Sequence, residues 1–266
     1  MIAKGHTGAR AHLVLMDIGN SSVSVATWSD RARSGADHIA TDPFDPVVEL
    51  LENKWRQLPR APSRAVVVAS VCPPALACLR AGCKARGISP LLVVGEDLDP
   101  PIGADLPEPE KVGKDRLCAA AAAFAQVKSV CVVADFGTAL TIDLVADNGV
   151  FLGGTILPGI SLCARALHEH TALLPLVEVG SPTETLGKDT ASAIRNGIFA
   201  MMVGALREIT ERYATQIGKW PPLILTGGDA PAIAGACDFA DGVLPDLCLD
   251  GLVIAYQQHV GREDEE

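Results

Sequence analysis

Aromatic residues are scarce in this chain: Phe, Trp and Tyr make up 4% of its 266 residues. Too few stacking side chains remain for a surface that binds single-stranded nucleic acid. Basic residues are also outnumbered, 22 against 32 acidic ones, and the net charge of −10 disfavours nucleic acid as a partner. Neither shortage argues against a nucleotide ligand, because backbone amides and a metal ion are enough to bind phosphate. We therefore expect no nucleic-acid partner.

Long apolar runs are missing as well. No run reaches the roughly 18 residues that a membrane span needs, and no secretory signal segment is present. The eight cysteines form no CxxC pair and lie mostly in apolar or alanine-rich surroundings, where free cysteine acts as a small hydrophobic residue. We interpret them as reduced structural thiols, with a zinc site or disulfides as the alternative. These features predict a cytoplasmic enzyme with no membrane partner.

Short strands rich in β-branched residues alternate with helical segments along the chain, which predicts an α/β fold. A chain of this length can form one large domain or two small ones. The boundary between the two halves is predicted near residues 125–129, with an N-terminal domain over 12–127 and a C-terminal domain over 128–260. Residues 1–11 are expected to be a disordered extension and residues 261–266 an acidic tail.

Two strand ends run into nearly the same letters: Asp17-Ile18-Gly19-Asn20 after AHLVLM, and Asp135-Phe136-Gly137-Thr138 after VCVVA. In each turn, glycine lets the backbone approach a ligand and the following residues offer hydrogen-bond donors. The aspartate can hold a cation or a metal-bound water. One copy alone is more often an ordinary turn, whereas two copies between apolar strands favour phosphate binding. The pair predicts a duplicated fold with one active site in a cleft between the halves.

Neither of the common nucleotide motifs is present, since the chain has no GxxxxGK[ST] and no GxGxxG after a strand. The turns at residues 17–20 and 135–138, which we call the first and second phosphate turns, instead resemble those of actin-like proteins and sugar kinases. A further glycine turn, Thr226-Gly227-Gly228-Asp229, follows the strand PLIL and resembles the turn on which such kinases place the adenosine.

The segment Val112–Arg116 opens an alanine-rich helix behind a proline-rich loop over residues 95–111. Taken alone, it is a helix N-terminus whose acid complements the macrodipole. The alternative is catalytic, because phosphoryl transfer to an alcohol needs an acceptor for the alcohol's proton. Asp115, kept ionised by the helix N-terminus, fits that task as a weak base. Arg116 beside it is suited to a substrate carboxylate or a transferring phosphate.

Together these motifs resemble the type III pantothenate kinases, which belong to the acetate and sugar kinase–Hsp70–actin superfamily. The similarity runs in order over about residues 12–258. The matching blocks are MDIGNSS, VASVCPP, EPEKVGKDR, VADFGTALTID, GGTILPGI, LLPLVEV, GKDTASAIRNG and LTGGDA. The resemblance implies two duplicated actin-like, ribonuclease H-like domains with a central cleft. It also implies ATP-dependent phosphorylation of the primary hydroxyl of pantothenate to 4′-phosphopantothenate, the first step of coenzyme A biosynthesis.

The resemblance assigns ATP and metal contacts to both turns. The first ATP phosphate loop is implied to comprise Asp17, Ile18, Gly19, Asn20, Ser21, Ser22, Val23 and Ser24. Asp17 is implied to lie near Mg²⁺, through a phosphate or a water molecule. Thr138 is implied to contact ATP, and Asp135 to bind a monovalent cation, K⁺ or NH₄⁺. Asp115 is implied to accept the proton of the pantothenate hydroxyl.

The resemblance also assigns the second substrate. Pantothenate is implied to lie in a cradle that consists of Gly113, Lys114, Asp115 and Arg116. Thr190 is implied to reach pantothenate in the neighbouring subunit of a homodimer. Three positions depart from the family pattern: Lys114 replaces a small residue such as alanine, Leu106 replaces a tyrosine that many members place against the substrate, and Ser21 replaces the usual threonine but keeps its hydroxyl. The long charged side chain at 114 either crowds pantothenate or helps to neutralise phosphate.

These departures leave two alternatives open beside a pantothenate kinase. One is a catalytically weak homologue, a dimeric ligand-binding protein with a regulatory task. The other is a kinase of the same fold that phosphorylates a different small alcohol. The direction of the Lys114 side chain bears on the choice between them.

Overall fold

The computed structural model describes residues 11–61, 63–182 and 184–263. The predicted extension over 1–11 lies outside the described residues, apart from Ala11. The predicted acidic tail begins inside the last helix, which continues to Glu263, and its final three residues lie outside the described part.

Strands and helices alternate along the chain, which confirms the predicted α/β class. The strands are β1 (His12–Ile18), β2 (Ser22–Ser29), β3 (Ala32–Arg33), β4 (Asp37–Ala40), β5 (Arg64–Ser70), β6 (Leu91–Val93), β7 (Gly103–Ala104), β8 (Cys131–Phe136), β9 (Ala139–Val145), β10 (Val150–Pro158), β11 (Leu223–Thr226) and β12 (Gly242–Val243). The helices are α1 (Asp45–Gln57), α2 (Pro73–Arg86), α3 (Lys114–Val127), α4 (Ile160–Glu169), α5 (Thr190–Ile217), α6 (Ala230–Ala234) and α7 (Leu247–Glu263). A short 3₁₀ turn covers Pro109–Lys111.

The chain divides into two compact units. The first unit comprises residues 11–102, 110–122 and 248–263, and the second comprises residues 103–109 and 123–247. Among the described residues, no helix combines the length and the apolar character that crossing a membrane requires. All eight cysteines are free thiols, and five of them are buried.

The first unit is built on a six-stranded sheet in the order β3-β2-β1-β5-β6, with β4 paired to β2. β1 and β2 form an antiparallel hairpin, whereas β5 joins β1 in parallel. Leu13 and Leu15 of β1 face one apolar cluster, and Val14 and Met16 face another on the opposite side. Because both faces of this strand are covered, its sequence is apolar at almost every position.

The last helix, α7, belongs to the first unit, which differs from the predicted C-terminal domain over 128–260. Leu249, Leu252 and Val253 are buried in the same cluster as Leu13 and Leu15. Burial of this apolar helix face against β1 and β5 is a long-range contact that has no signal in the local sequence.

The second unit is built on a six-stranded sheet in the order β12-β11-β8-β9-β10-β7. The 28-residue helix α5 buries Ile198, Met202 and Leu206 in the core of this unit. The helical spacing of apolar residues in the sequence predicts a helix from about Thr190 to Ile217, and the structure has these bounds. The sequence also predicts a helix from Ser161 to Leu174. Helix α4 instead ends at Glu169, and the Thr171 hydroxyl donates to the Leu167 carbonyl just beyond it (2.7 Å).

The duplication extends well beyond the two turns. In each sheet, a strand that ends near a turn aspartate pairs antiparallel with the next strand and parallel with a later one. Asp17 lies opposite Ser24 on β2 and Ala69 on β5. Asp135 holds the same position in the second unit, opposite Thr141 on β9 and Thr226 on β11. The two sheets therefore share one topology, which confirms the predicted duplicated architecture. The predicted central cleft concerns the arrangement of the units and stays a prediction.

The close contact between helices α3 and α7 predicts a sharp difference between two glycines of α7. A Cβ on Gly251 would overlap with the backbone carbonyl of Cys118, whereas a Cβ on Gly261 would meet nothing within 4 Å. We expect Gly251→Ala to lower the free energy of unfolding by about 1–3 kcal/mol through overpacking. The matched variant Gly261→Ala should leave it unchanged or raise it by up to about 1 kcal/mol. Urea unfolding of both variants measures the difference, and equal stabilities would contradict the contact.

Candidate active site

The first phosphate turn connects β1 to β2 and is held by backbone hydrogen bonds. Asp17 lies near the end of β1, and the Gly19 N–H donates to the Ser22 carbonyl (3.0 Å). Thr41 is buried behind the turn, where its hydroxyl donates to the Gly19 carbonyl (3.0 Å) and its N–H to the Ser21 carbonyl (3.1 Å). Sequence reasoning missed Thr41, which no motif marks. The turn is therefore fixed by a buried threonine from outside it.

The residues predicted to bind ATP in this turn divide into two groups. Ile18 and Val23 are fully buried in the core and anchor the two ends of the turn. The exposed members are Asn20, Ser21 and Ser22. Ser24 is half-buried, and its hydroxyl is 3.0 Å from Nδ1 of His38. Only the polar middle of the turn therefore offers exposed side chains to a ligand.

Asp115 lies beside the first turn, at the start of helix α3. The Val71 N–H donates to the Ile18 carbonyl (3.1 Å), and a Cβ on Gly113 would lie 3.6 Å from Cγ1 of Val71. The same Cβ would overlap with Oδ1 of Asp115, so only glycine at 113 leaves room for this carboxylate. The Arg116 N–H donates to Asp115 Oδ1 (2.8 Å). The structure thus brings Gly113, Asp115 and Arg116 together next to the phosphate turn.

Burial raises the pKa of the Asp115 carboxyl above its usual value. The hydrogen bond from the Arg116 N–H and the charge of Arg116 lower the same pKa, but to a smaller extent. Burial therefore has a larger effect on the pKa of Asp115 than the helix N-terminus has. This differs from the expectation from the sequence, in which the helix N-terminus keeps Asp115 ionised. A carboxylate whose charged form is disfavoured binds a proton more readily, so Asp115 is a stronger base than an exposed aspartate.

A buried thiol pair lies behind the two aspartates. The hydrogen bond between Cys248 and Cys118, followed by burial and the charges of Asp17 and Asp115, raises the pKa of the Cys248 thiol well above its usual range. Both carboxylates therefore lie close enough to the buried Cys248 sulfur to raise the pKa of its thiol. This places Asp17 and Asp115 around the same part of the first unit, although nearly one hundred positions separate them along the chain.

Lys114 is bound to its own loop. Its Nζ donates to the carbonyl oxygens of Glu110 (2.8 Å) and Val112 (3.2 Å). The aliphatic part of the side chain lies over Gly95, where a Cβ would be 2.5 Å from Cε of Lys114. These contacts occupy two donors of the ammonium group and hold the proline-rich loop over residues 95–111 to the start of helix α3.

The second phosphate turn connects β8 to β9. The Gly137 N–H donates to the Ala139 carbonyl (3.1 Å), and the Gly159 N–H donates to the Thr138 carbonyl (3.0 Å). A Cβ on Gly159 would overlap with the Gly137 carbonyl, so the start of helix α4 packs directly on this turn. Thr138 is exposed, as expected for a residue that contacts a ligand.

The glycine turn after β11 packs against Asp135. Gly227 has φ +91°, and a Cβ there would overlap with Oδ1 of Asp135 and lie 2.6 Å from the Phe136 carbonyl oxygen. The Asp229 N–H donates to that same carbonyl (3.1 Å). Burial raises the pKa of the Asp229 carboxyl. The structure therefore brings the second phosphate turn and the predicted adenosine turn together in the second unit.

Leu106 and Thr190 also belong to the second unit. Leu106 is half-buried, and its Cδ2 lies 3.3 Å from the position of a Cβ on Gly153, which has φ +105°. Thr190 is exposed at the first position of helix α5, after Asp189, whose carboxylate accepts from the Ser192 N–H (2.8 Å). Their positions are thus fixed by packing on β10 and by a helix cap.

The donor atoms around the two aspartates fit the cations that the family implies. Within the described residues, no three His, Cys, Asp or Glu side chains form a cluster that could hold a metal by themselves. Mg²⁺ usually binds one or two carboxylates together with substrate phosphates and water, and the half-buried Asp17 suits that role. Asp135 provides a carboxylate close to the backbone carbonyl oxygen of Phe136, and oxygen atoms of this kind are the ligands that hard cations take.

Comparisons with known proteins identify the family of this chain. The family model described as type III pantothenate kinase matches residues 13–212. The type III pantothenate kinase of Rhodospirillum rubrum is 35% identical over 255 residues, which cover 93% of this chain and 98% of the relative. That of Dehalococcoides mccartyi is 34% identical over 256 residues, with coverage of 93% and 98%.

Solved structures agree on the fold. MreB5 of Spiroplasma citri bound to ADP has a TM-score of 0.53 at 10% identity and covers 96% of this chain and 99% of its own. The ethanolamine utilization protein EutJ of Carboxydothermus hydrogenoformans has a TM-score of 0.50 at 14% identity, with coverage of 96% and 91%. At these identities the similarity shows only the fold, which is actin-like. By its family model and its relatives, the chain belongs to the type III pantothenate kinase family.

Proposed function

We propose that this protein phosphorylates the primary hydroxyl of pantothenate with ATP and forms 4′-phosphopantothenate, the first step of coenzyme A biosynthesis. The observation that carries the proposal is the half-buried carboxylate of Asp115, whose pKa is raised, beside the first phosphate turn. A kinase of this type needs a proton acceptor next to its phosphate site, and Asp115 meets that need in a chain of this family.

Asp115 acts as the proton acceptor in the proposed mechanism. The hydroxyl oxygen of pantothenate attacks the γ-phosphorus of ATP, the bond from that phosphorus to the bridging oxygen breaks, and the hydroxyl proton moves to the Asp115 carboxylate. Because the transition state is loose, the base needs only moderate strength, and positioning supplies much of the rate. Burial of the carboxylate raises its pKa and so increases its basicity.

The two phosphate turns bind ATP in this proposal. The polar middle of the first turn and Thr138 in the second offer hydroxyl and amide donors to the phosphates. Mg²⁺ near Asp17 would neutralise the charge of the phosphates. We assign a monovalent cation to Asp135, and exchange of potassium for sodium in the assay tests this role. Equal turnover in both salts would remove it.

The cradle of Gly113, Asp115 and Arg116 binds pantothenate in this proposal. The guanidinium of Arg116 is suited to the carboxylate of pantothenate. Lys114, whose ammonium donates to two loop carbonyls, holds the loop in place in this proposal, which supports a pantothenate kinase over a regulatory or weakly active homologue. The half-buried Leu106 provides an apolar contact in place of the tyrosine of other members.

We further propose a homodimer in which Thr190 contacts pantothenate in the neighbouring subunit. Six large apolar side chains are exposed within residues 160–201, the part of the second unit that includes Thr190: Leu162, Leu167, Leu173, Leu176, Leu186 and Met201. Exposed apolar residues concentrated in one segment favour an interface between two copies. Sedimentation should show a dimer that Leu173→Glu weakens, and a monomeric wild-type chain would contradict the interface.

A cytoplasmic location is part of the same proposal. The eight free thiols suit a reducing compartment, in which disulfides do not form readily.

Replacement of Asp115 by asparagine separates activity from stability. We expect Asp115→Asn to lower kcat by roughly 10²–10⁴, because the proton loses its acceptor. The same variant should unfold at a higher temperature than the wild type at neutral pH, since it removes a charge that burial disfavours. Steady-state kinetics and thermal unfolding of one preparation measure both effects.

The pH dependence of this difference has a definite sign. The folded Asp115 has a raised pKa, so the folded wild type binds more protons than the unfolded chain between the ordinary aspartate pKa, about 3.9, and the raised value. Wild-type stability therefore falls relative to Asp115→Asn as the pH rises through that range, and the gap closes in acid. Glu110→Gln, a change at a nearby exposed carboxylate, should alter neither kcat nor this gap. Unchanged turnover in Asp115→Asn would remove the residue from its role.

The contacts of Lys114 predict that its replacement changes KM for pantothenate more than kcat. Lys114→Ala should raise the KM for pantothenate, because the loop over Glu110 and Val112 loses two hydrogen bonds, and leave kcat within about threefold. Lys114→Met keeps the aliphatic contact with Gly95 and should show the same change with a smaller loss of stability. If Lys114 instead neutralised the transferring phosphate, kcat would fall strongly in both variants.

A further inference from the structure

A pocket lies in the first unit, at the opposite end of the sheet from the first phosphate turn. It has a volume of about 390 Å³ and is lined by Trp55, Arg60, Ala61, Arg64, Ser89 and Pro90. Arg64 begins β5, whereas the phosphate turn follows the other end of the neighbouring parallel strand. Seven residues of strand separate the two ends by about 20 Å. The pocket is therefore distinct from the site around Asp17 and Asp115.

Two arginines give this pocket a positive charge in a protein whose net charge is −10. Neither Arg60 nor Arg64 forms an ion pair with any carboxylate in the described part of the chain. Glu52, one turn earlier than Trp55 on helix α1, is already engaged by Arg56 and Arg86 (3.0 Å for the latter). The local excess of positive charge is thus left without a compensating acid.

The surroundings of the Arg64 guanidinium disfavour its charged form. Its Cζ lies 3.7 Å from the centre of the Trp55 ring, in a cation–π contact. Its Nε is shielded from solvent and has no acceptor among the described residues. Burial and the charge of Arg60 lower the pKa of the Arg64 guanidinium. A buried N–H without an acceptor is rare in folded proteins and requires an explanation.

Packing alone explains only part of this arrangement. An arginine that covers a tryptophan ring is common, and its stem contributes apolar contact. Such a contact does not require a second arginine without an ion pair in the same pocket. An anion in the pocket would supply the missing negative charge, since guanidinium groups bind phosphate and carboxylate through paired N–H donors.

We propose that the pocket formed by Trp55, Arg60 and Arg64 binds a small metabolite through its phosphate or carboxylate group. The pocket is large enough for such a molecule, and sites of this size are typical for small ligands. Arg60 and Arg64 bind the oxyanion, and the indole of Trp55 orients the Arg64 guanidinium. This site is independent of the proposed kinase reaction.

Trp55 provides a local probe for the test. Of the three tryptophans, Trp28 and Trp220 lie elsewhere, so a Trp28→Phe/Trp220→Phe protein reports on this pocket alone. Titration with sodium phosphate at constant ionic strength should give a saturable change in Trp55 fluorescence. Sodium acetate serves as the carboxylate probe in a second arm. A saturable response to phosphate or acetate supports the site, whereas linear responses to both overturn it.

Matched arginine variants complete the test. Arg60→Gln should weaken phosphate binding by about tenfold or more, which corresponds to about 1.4 kcal/mol. Arg56→Gln removes the same charge from an exposed, paired position on helix α1 and should leave binding unchanged. Equal losses of phosphate affinity in the two variants would show that the effect depends only on overall charge, and would overturn the site.

Arg64→Met distinguishes binding from packing. If Arg64 is kept for an anion, Arg64→Met should unfold at the same or a higher temperature without phosphate and should lose the stabilisation that phosphate gives the wild type. If Arg64 only packs on Trp55, the variant should be less stable and keep the phosphate response. That second result would overturn the proposal. Both outcomes are independent of turnover with pantothenate.

Discussion

Close approach between a glycine and an aspartate carboxylate is the constraint on which both halves of this protein depend. Gly113 leaves room for Asp115 in the first unit, and Gly227 leaves room for Asp135 in the second. At each place a single added Cβ would overlap with a carboxylate oxygen. Since the positions of these carboxylates follow from the ends of buried strands and the start of a helix, the chemistry of the site rests on where the backbone can come close.

This constraint explains why the active site lowers the free energy of unfolding. A carboxylate that is partly removed from water has its charged form disfavoured, which is why the pKa of Asp115 is raised. The same burial makes the group a better base. Arg64 repeats the pattern with the opposite charge, since its Nε is buried without an acceptor. Groups that a fold tolerates at a cost in stability are often those that a ligand requires.

Much of the fold follows from the local sequence. The strands that end at Asp17 and Asp135 were predictable because their apolar runs are short and β-branched and their turns contain glycine. Helix α5 was predictable because its apolar residues recur at helical spacing and Asp189 caps its start. What the sequence could not reveal are contacts between distant segments. The placement of α7 with the first sheet, the support of the first turn by Thr41 and the attachment of Lys114 to loop carbonyls all depend on tertiary packing.

The identity of the phosphorylated product tests the central claim most directly. Pantothenate, ATP and Mg²⁺ are incubated with the protein in potassium buffer, and the product is examined by ³¹P NMR. The account predicts ADP together with a new phosphomonoester whose phosphorus couples to the methylene protons of the primary alcohol. Binding of ATP without any phosphomonoester, or a phosphomonoester only when another small alcohol replaces pantothenate, would contradict it.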